Sequence, residues 1–271
     1  MQTIYRIFRF KFMKKISVTI ITINEEDNIE RCLKSLDFAD EIIVVDSGSK
    51  DKTIEIAKKY TDKIYFKDFN GYGEQKNYAA SLARNDLIFS IDADEEVSDD
   101  LKRYLLEQLD TVFSKGFSAI AIPRRTYYLG KFIKNSGWYP DYKVRIYNKN
   151  KCYWDNKKVH ESLNCEGKVF YVPKGMDLYH YSYRDISDHI NKVNKYTSLF
   201  VSGNKDMGFI SICFKLFTKP LLKFFKMYLL KYGFLEGNRG FIIAIIGSFY
   251  EFLKYAKLLE RKIYNKDFKG Y

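Results

Sequence analysis

The chain has 271 residues, 46% of them hydrophobic, and a formal net charge of +12. That length suits one large domain, or one α/β domain with an appendage, and the apolar content excludes a disordered chain. The charge favours an anionic partner (nucleic acid, anionic lipid or a phosphorylated substrate), although a general enrichment in Lys, Asn, Tyr, Phe and Ile accounts for it equally well.

Met1–Phe12 is short, basic and aromatic, without an apolar core or a small-residue cleavage site. It is expected to be an extension rather than a signal peptide, with Met13 an alternative start. Strand and helix patterns then alternate. Ile16–Thr22 is a β-rich apolar run, Asp27–Leu36 has helical spacing, and Glu41–Val45 is a second buried-type strand. Ser49 is placed to cap a helix over Lys50–Tyr60. Lys63–Phe66, Glu74–Ala83 and Leu87–Ile91 follow as strand, helix and strand. This order predicts an α/β fold with a doubly wound, mainly parallel sheet, and the ligand crevice at the carboxyl ends of its strands. Beyond it, Asp99–Leu109 and Asp185–Val201 read as helices, and Ala119–Pro123 and Lys143–Tyr147 as strands. Cys32, Cys152, Cys165 and Cys213 form no C-x-x-C pair and no metal-finger spacing, so free thiols in a reducing cytoplasm are expected.

Polar residues follow the strands where the crevice should be. Asn24-Glu25-Glu26 follows the first, Asp46-Ser47-Gly48-Ser49 the second, and Asp92-Ala93-Asp94-Glu95 the fourth. Carboxylates two apart on an extended segment point the same way, and two at one site repel unless a cation neutralises them. A hard divalent ion does so and can bridge a diphosphate. A solvated acidic turn is the competing reading of a lone D-x-D, and its place after a buried strand favours the ligand reading. Asp46 suits a base or ribose contact, or an ordinary Asx-turn.

The runs TIITINEEDNI, EIIVVDSGSKDKT, GYGEQKNYA and FSIDADE, in this order, resemble glycosyltransferase family 2, most of all the bacterial members that build lipopolysaccharide core and related surface glycans. The resemblance is strong over residues 16–96 and looser through GWYPDYKVRIY, VHESL and LYHYSY. It implies a GT-A-type catalytic domain over 16–203, with a donor half to 98 and an acceptor half from 99, followed by a helical region over 204–271. It also implies a UDP-sugar donor and a Mn2+ or Mg2+ ion. On this resemblance Thr22, Asn24, Glu25 and Asp46 line the nucleoside pocket, and Lys76 and Asn77 lie near the base or diphosphate. Asp92 lies beside the ribose or the metal, and Asp94 and His180 ligate the metal.

Inverting transfer needs one base to take the acceptor proton while the nucleotide leaves from the other face. Glu161 is the expected base and Asp141 its rival. Trp138, Tyr139, Asp141 and Arg145 are the expected acceptor contacts, because aromatic faces stack on sugars and Arg grips phosphate; strand packing and an ion pair are the competing readings. Lysines recur among Phe, Leu and Tyr over residues 209–232, and no apolar run there is long enough to span a bilayer. A basic amphipathic helix lying in the interface is expected, placing the protein on the cytoplasmic face of the inner membrane with a lipid-linked saccharide as acceptor. A helix packed on the catalytic domain is the competing reading. Nucleic acid is not expected, since three acidic strand ends repel phosphates. A sugar-phosphate nucleotidyltransferase is the other enzyme class considered, and NEED stands where its Gly-rich phosphate loop would be.

Overall fold

The computed structural model describes residues 15–155, 162–203 and 207–264. The chain forms two compact units: residues up to Arg124 with Asp141–His180, and Arg125–Pro140 with Tyr181 onward. The helix read near Asp185–Val201 therefore groups with the C-terminal helices.

The first unit opens with the alternation read from the sequence: β1 (Ile16–Thr22), α1 (Ile29–Lys34), β2 (Glu41–Asp46), α2 (Thr53–Ala57), β3 (Ile64–Phe66), α3 (Tyr72–Ser81) and β4 (Leu87–Asp92). β1 lies between β2 and β4, parallel to both, and β2 is parallel to β3. Ile16, Val18, Ile20, Phe89 and Ile91 are buried, because a parallel sheet covered on both faces needs continuous apolar strands. The unit continues through β5 (Glu95–Val97), α4 (Asp99–Ser114) and β6 (Phe117–Tyr128), whose last residues enter the second unit. Ser98 caps α4 by accepting the Leu101 N–H at 3.2 Å, and Leu101, Leu105, Leu109 and Val112 form its buried stripe. After β7 (Lys131–Phe132), in the second unit, come β8 (Asp141–Asn148), β9 (Cys152–Trp154), β10 (Leu163–Cys165), β11 (Lys168–Tyr171) and β12 (Leu178–His180). The sheet order is β3-β2-β1-β4-β8-β6-β12-β5, with β8 antiparallel to β4 and β5 antiparallel to β12.

Two expectations are corrected. α2 begins at Thr53, not after a Ser49 cap. The Ser49 hydroxyl instead donates to the Asp46 carboxylate at 2.5 Å and accepts the Asn24 N–H at 2.9 Å, while Asp51 accepts the Thr53 N–H at 3.0 Å. Cys152 and Cys165 are not free thiols. They face each other across the antiparallel β9–β10 pair and form a disulfide. Their separation of 13 residues matches no local cysteine motif, so only the strand register brings them together. Cys32 and Cys213 are free.

The second unit holds α5 (Ile186–Gly203), α6 (Phe209–Phe225), a π-helical turn (Lys226–Leu230), a 3-10 turn (Gly233–Glu236) and α7 (Asn238–Tyr264). Val201, Ile212, Tyr255 and Leu258 form one core of this unit, and Tyr128, Ile133, Met227, Ile243 and Ala244 another. A Cβ on Gly240 would stand 1.8 Å from the Gly233 carbonyl oxygen, so α7 and the 3-10 turn approach as only glycine permits. Among the described residues no helix is long and apolar enough to cross a membrane.

Candidate active site

The sheet register brings the expected polar residues to one edge. Thr22 pairs with Asp46 across β1–β2, and Ile21 with Asp92 across β1–β4. The loops beyond are stitched together. Asn24 accepts the Lys50 N–H at 2.8 Å, Thr53 accepts the Glu25 N–H at 2.8 Å, and Glu26 accepts the Lys52 N–H at 2.9 Å. Asn24 has φ +53°, a left-handed conformation that Asn tolerates better than most residues. The Glu25 carboxylate accepts from the Asn28 side chain at 2.8 Å. Asp46 is buried and closes its own loop, accepting the Gly48 and Ser49 N–H groups at 2.8 and 2.9 Å.

At the end of β4, Asp92 stands between two cations, 2.5 Å from Arg145 Nη2 and 3.5 Å from Lys76 Nζ. Burial alone would raise its carboxyl pKa, but the charges of Arg145, Lys76 and Arg124 outweigh it and keep the group far below the usual carboxylate range. Asp94 lies 3.2 Å from His180 Nε2. The β5–β12 pairing, which sets His180 opposite Glu95, makes this neighbour relation across 86 residues of sequence. Burial opposes ionisation of Asp94 as well, and the hydrogen bond and charge of His180 reverse the effect. His180 Nδ1 is buried without a hydrogen-bond partner among the described residues.

No group of three or more His, Cys, Asp or Glu is gathered as a cation cage among the described residues. Of the three expected ligands, Asp94 and His180 are adjacent, whereas the Asp92 carboxylate is engaged by Lys76 and Arg145. Two neighbouring ligands of one divalent ion, each at about 2.1 Å, lie about 3 Å apart. The Asp94–His180 spacing fits that arrangement, and an imidazole in the set suits Mn2+ better than Mg2+.

Other expected residues are occupied elsewhere. Lys76 is buried, its ammonium 4.6 Å from the Trp154 ring centre. The Asn77 amide donates to the Trp154 carbonyl at 2.8 Å and accepts the Trp154 N–H at 2.9 Å, clamping α3 to β9. Arg145, expected at the acceptor, is 3% exposed and bonded to Asp92 and Glu95. Asp141 is held by Arg124 at 2.7 Å and Lys143 at 3.1 Å. In the second unit Trp138 stacks on Tyr183 at 5.5 Å and meets Tyr128 edge-on at 5.3 Å, while Arg125 lies 4.7 Å over the Tyr139 ring. Glu161 lies outside the described residues. Sequence reasoning missed Glu95, Arg124 and Trp154; Glu95 adjoins the D-x-D run, but nothing local marks the two arginines as its partners.

The model of glycosyl transferase family 2 matches residues 17–160, from β1 past the arginine-bound acidic turn. The chain belongs to that family. As a family 2 enzyme it is a glycosyltransferase, and the relatives extend the match over nearly its whole length. An uncharacterized glycosyltransferase of Rickettsia typhi is 34% identical over 94% of this chain and 90% of its own length. The lipopolysaccharide core biosynthesis glycosyltransferase LpsC of Rhizobium meliloti is 31% identical over 91% of this chain and 92% of its own. Among solved structures, residues 1–349 of Staphylococcus aureus TarS align over 93% of this chain and 92% of that one, with 16% identity and a TM-score of 0.46. Glucosyl-3-phosphoglycerate synthase of Mycobacterium tuberculosis, in complex with Mg2+ and uridine diphosphate, aligns over 47% of this chain and 48% of that one, with 26% identity and a TM-score of 0.36.

Proposed function

We propose that this family 2 enzyme transfers a hexose from a UDP-sugar, with inversion, to a lipid-linked saccharide such as a lipopolysaccharide core, working at the cytoplasmic face of the inner membrane. The observation that carries the reading is the Asp94–His180 pair, 3.2 Å apart at the end of β4. Thr22, Asn24, Glu25 and Asp46 form the nucleoside side of the site, at the ends of β1 and β2. Asp94 and His180 hold a divalent ion, which when bound offsets the charge of the donor diphosphate. Asp92, fixed by its two cations, faces the ribose side. The acceptor hydroxyl oxygen bonds to the anomeric carbon as the bond from that carbon to the diphosphate breaks, and the acceptor proton passes to Glu161. Asp141 is the poorer base: burial raises its carboxyl pKa, but Arg124 and Lys143 more than reverse this and hold it ionised and occupied. The name of the Rhizobium relative supports the acceptor class.

The membrane surface is supported by α6 and α7. Ile210, Phe214, Phe217 and Leu221 recur at helical spacing on α6 with 84, 67, 71 and 62% exposure, and Phe241, Ile245, Phe249 and Phe252 repeat the pattern on α7. Residues 207–235 contain no Asp or Glu, while Lys215, Lys219, Lys223, Lys226 and Lys231 lie among them. An outward apolar stripe flanked by lysines suits the interface of an anionic bilayer.

A UDP-release assay tests the transfer. A panel of UDP-sugars is incubated with Mn2+, Mg2+ or chelator, using wild type and Asp94→Asn. One donor should release UDP only with metal, and Asp94→Asn should lower that rate by about 100-fold or more, the scale of losing a group that stabilises developing charge. No release from any donor, together with no nucleotide binding, would overturn the reading.

A further inference from the structure

Glu95 follows Asp92-Ala93-Asp94 directly, and its side chain is 0% exposed. A carboxylate so buried is costly unless it is paired, and here three groups pair it. One oxygen, Oε2, accepts the backbone N–H of Asp92 at 3.1 Å. The other, Oε1, accepts from Arg145 Nη2 at 2.5 Å and Arg124 Nη1 at 3.2 Å. The same Arg145 Nη2 donates to Asp92 Oδ2 at 2.5 Å. The circuit therefore closes on residue 92, whose backbone Glu95 binds directly and whose side chain it reaches through Arg145. At the other end of the turn, Asp94 is bonded in sequence to Glu95, and the Glu95 backbone faces His180 across β5–β12.

We propose that Glu95 is the positioning residue of the donor site: it sets the spacing between the Asp92 carboxylate and the Asp94–His180 pair without touching the donor. This rests on the donor-site reading above. Glu95→Gln keeps the size of the side chain and removes the charge that orders both arginines, so Asp92 and Asp94 lose their fixed relation while the nucleoside side on β1 and β2 is untouched.

The test is calorimetric binding of UDP to the full chain, with Mn2+ and with chelator, for wild type, Glu95→Gln and Arg124→Gln. The quantity read is the ratio of the two affinities. In Glu95→Gln that ratio should fall by about tenfold or more, the usual effect of losing a group that orients metal ligands, while UDP affinity in chelator falls by a smaller factor, through the loosened Asp92 on the ribose side. Arg124→Gln removes only one partner of Glu95 and should lower the ratio in the same direction by a smaller factor. Circular dichroism shows whether each variant folds, and Arg124→Gln carries the test if Glu95→Gln does not. A ratio unchanged from wild type in the folded variants would show that Glu95 merely stabilises the fold and would overturn its role. A wild type that gains no UDP affinity from Mn2+ would instead overturn the donor site itself, and this role with it.

Discussion

Titratable side chains divide here by what surrounds them. Asp92 and Asp94 are half-buried, their carboxyl pKa values held down by neighbouring Arg, Lys and His side chains, whereas His189 is buried beside aromatic rings and stays neutral. Tyr128 OH lies 2.9 Å from His189 Nδ1, and the Tyr183 ring centre is 4.3 Å from the imidazole. Burial, then the charge of Lys192, push the His189 pKa down to about 4, and Asp188 opposes them only weakly. In the unfolded chain the group titrates near its ordinary value of 6.5. Between these values the unfolded state binds the extra proton, so stability rises with pH. The contribution is complete above the unfolded pKa and is lost as pH falls through the native one. At one pKa unit per about 1.4 kcal/mol, it amounts to about 3 kcal/mol at the acid end. Urea unfolding at a series of pH values from 7 to 4 should show this loss in wild type. His189→Asn, which keeps a polar atom toward Tyr128, should be less stable at pH 7 and lack that component of the slope. An equal slope in both proteins would mean that His189 binds its proton equally in the native and unfolded states.

At the scale of elements, the strands and their order were legible because a buried parallel sheet demands apolar runs, and their polar ends mark the crevice. Thr22, Asp46 and Asp92 could be placed together for that reason. The positions of Asp94 and His180 could not be joined from spacing alone, since β12 returns to β5 only after the chain has formed six intervening strands. Family resemblance supplied what periodicity could not. The partners of Arg145 and Asn77, namely Glu95 and the Trp154 backbone, are remote in sequence, so the polar neighbourhoods of the two residues do not announce them. The α3–β9 contact makes a prediction of its own. A Cβ on Gly73 would stand 2.0 Å from the Asp155 carbonyl oxygen. Backbone must shift to admit it, so Gly73→Ala should destabilise the protein by about 1–3 kcal/mol, the range for overpacking. It should also weaken UDP binding, because Lys76 on the same helix helps to hold Asp92. A thermal midpoint equal to that of wild type would show that α3 slides freely over the hairpin.

At the scale of the whole molecule, the net charge of +12 gains meaning from where its lysines fall. The segment from 207 to 235 has cations and no acids, and most of its large apolar side chains are exposed, the reverse of a helix that serves only to cover a core. Deleting α6 would be a poor test of membrane binding, because Ile212 packs with Val201, Tyr255 and Leu258, and its loss would open that core. Point changes on the exposed stripe avoid the difficulty. Phe217 and Leu221 are 71 and 62% exposed, one turn apart, so Phe217→Glu with Leu221→Glu should leave the fold and UDP release intact. Wild type should sediment with vesicles containing phosphatidylglycerol, and less with purely zwitterionic vesicles, because each lysine near an anionic surface adds about 1 kcal/mol. Rising salt should release it as the surface charge is screened. The double variant loses two apolar anchors and gains two negative charges, so its partition to anionic vesicles should fall by about 100-fold, the equivalent of about 2.7 kcal/mol. Sedimentation of the double variant equal to wild type would show that another surface carries the membrane contact, and equal binding to neutral vesicles would show that the lysines take no part in it.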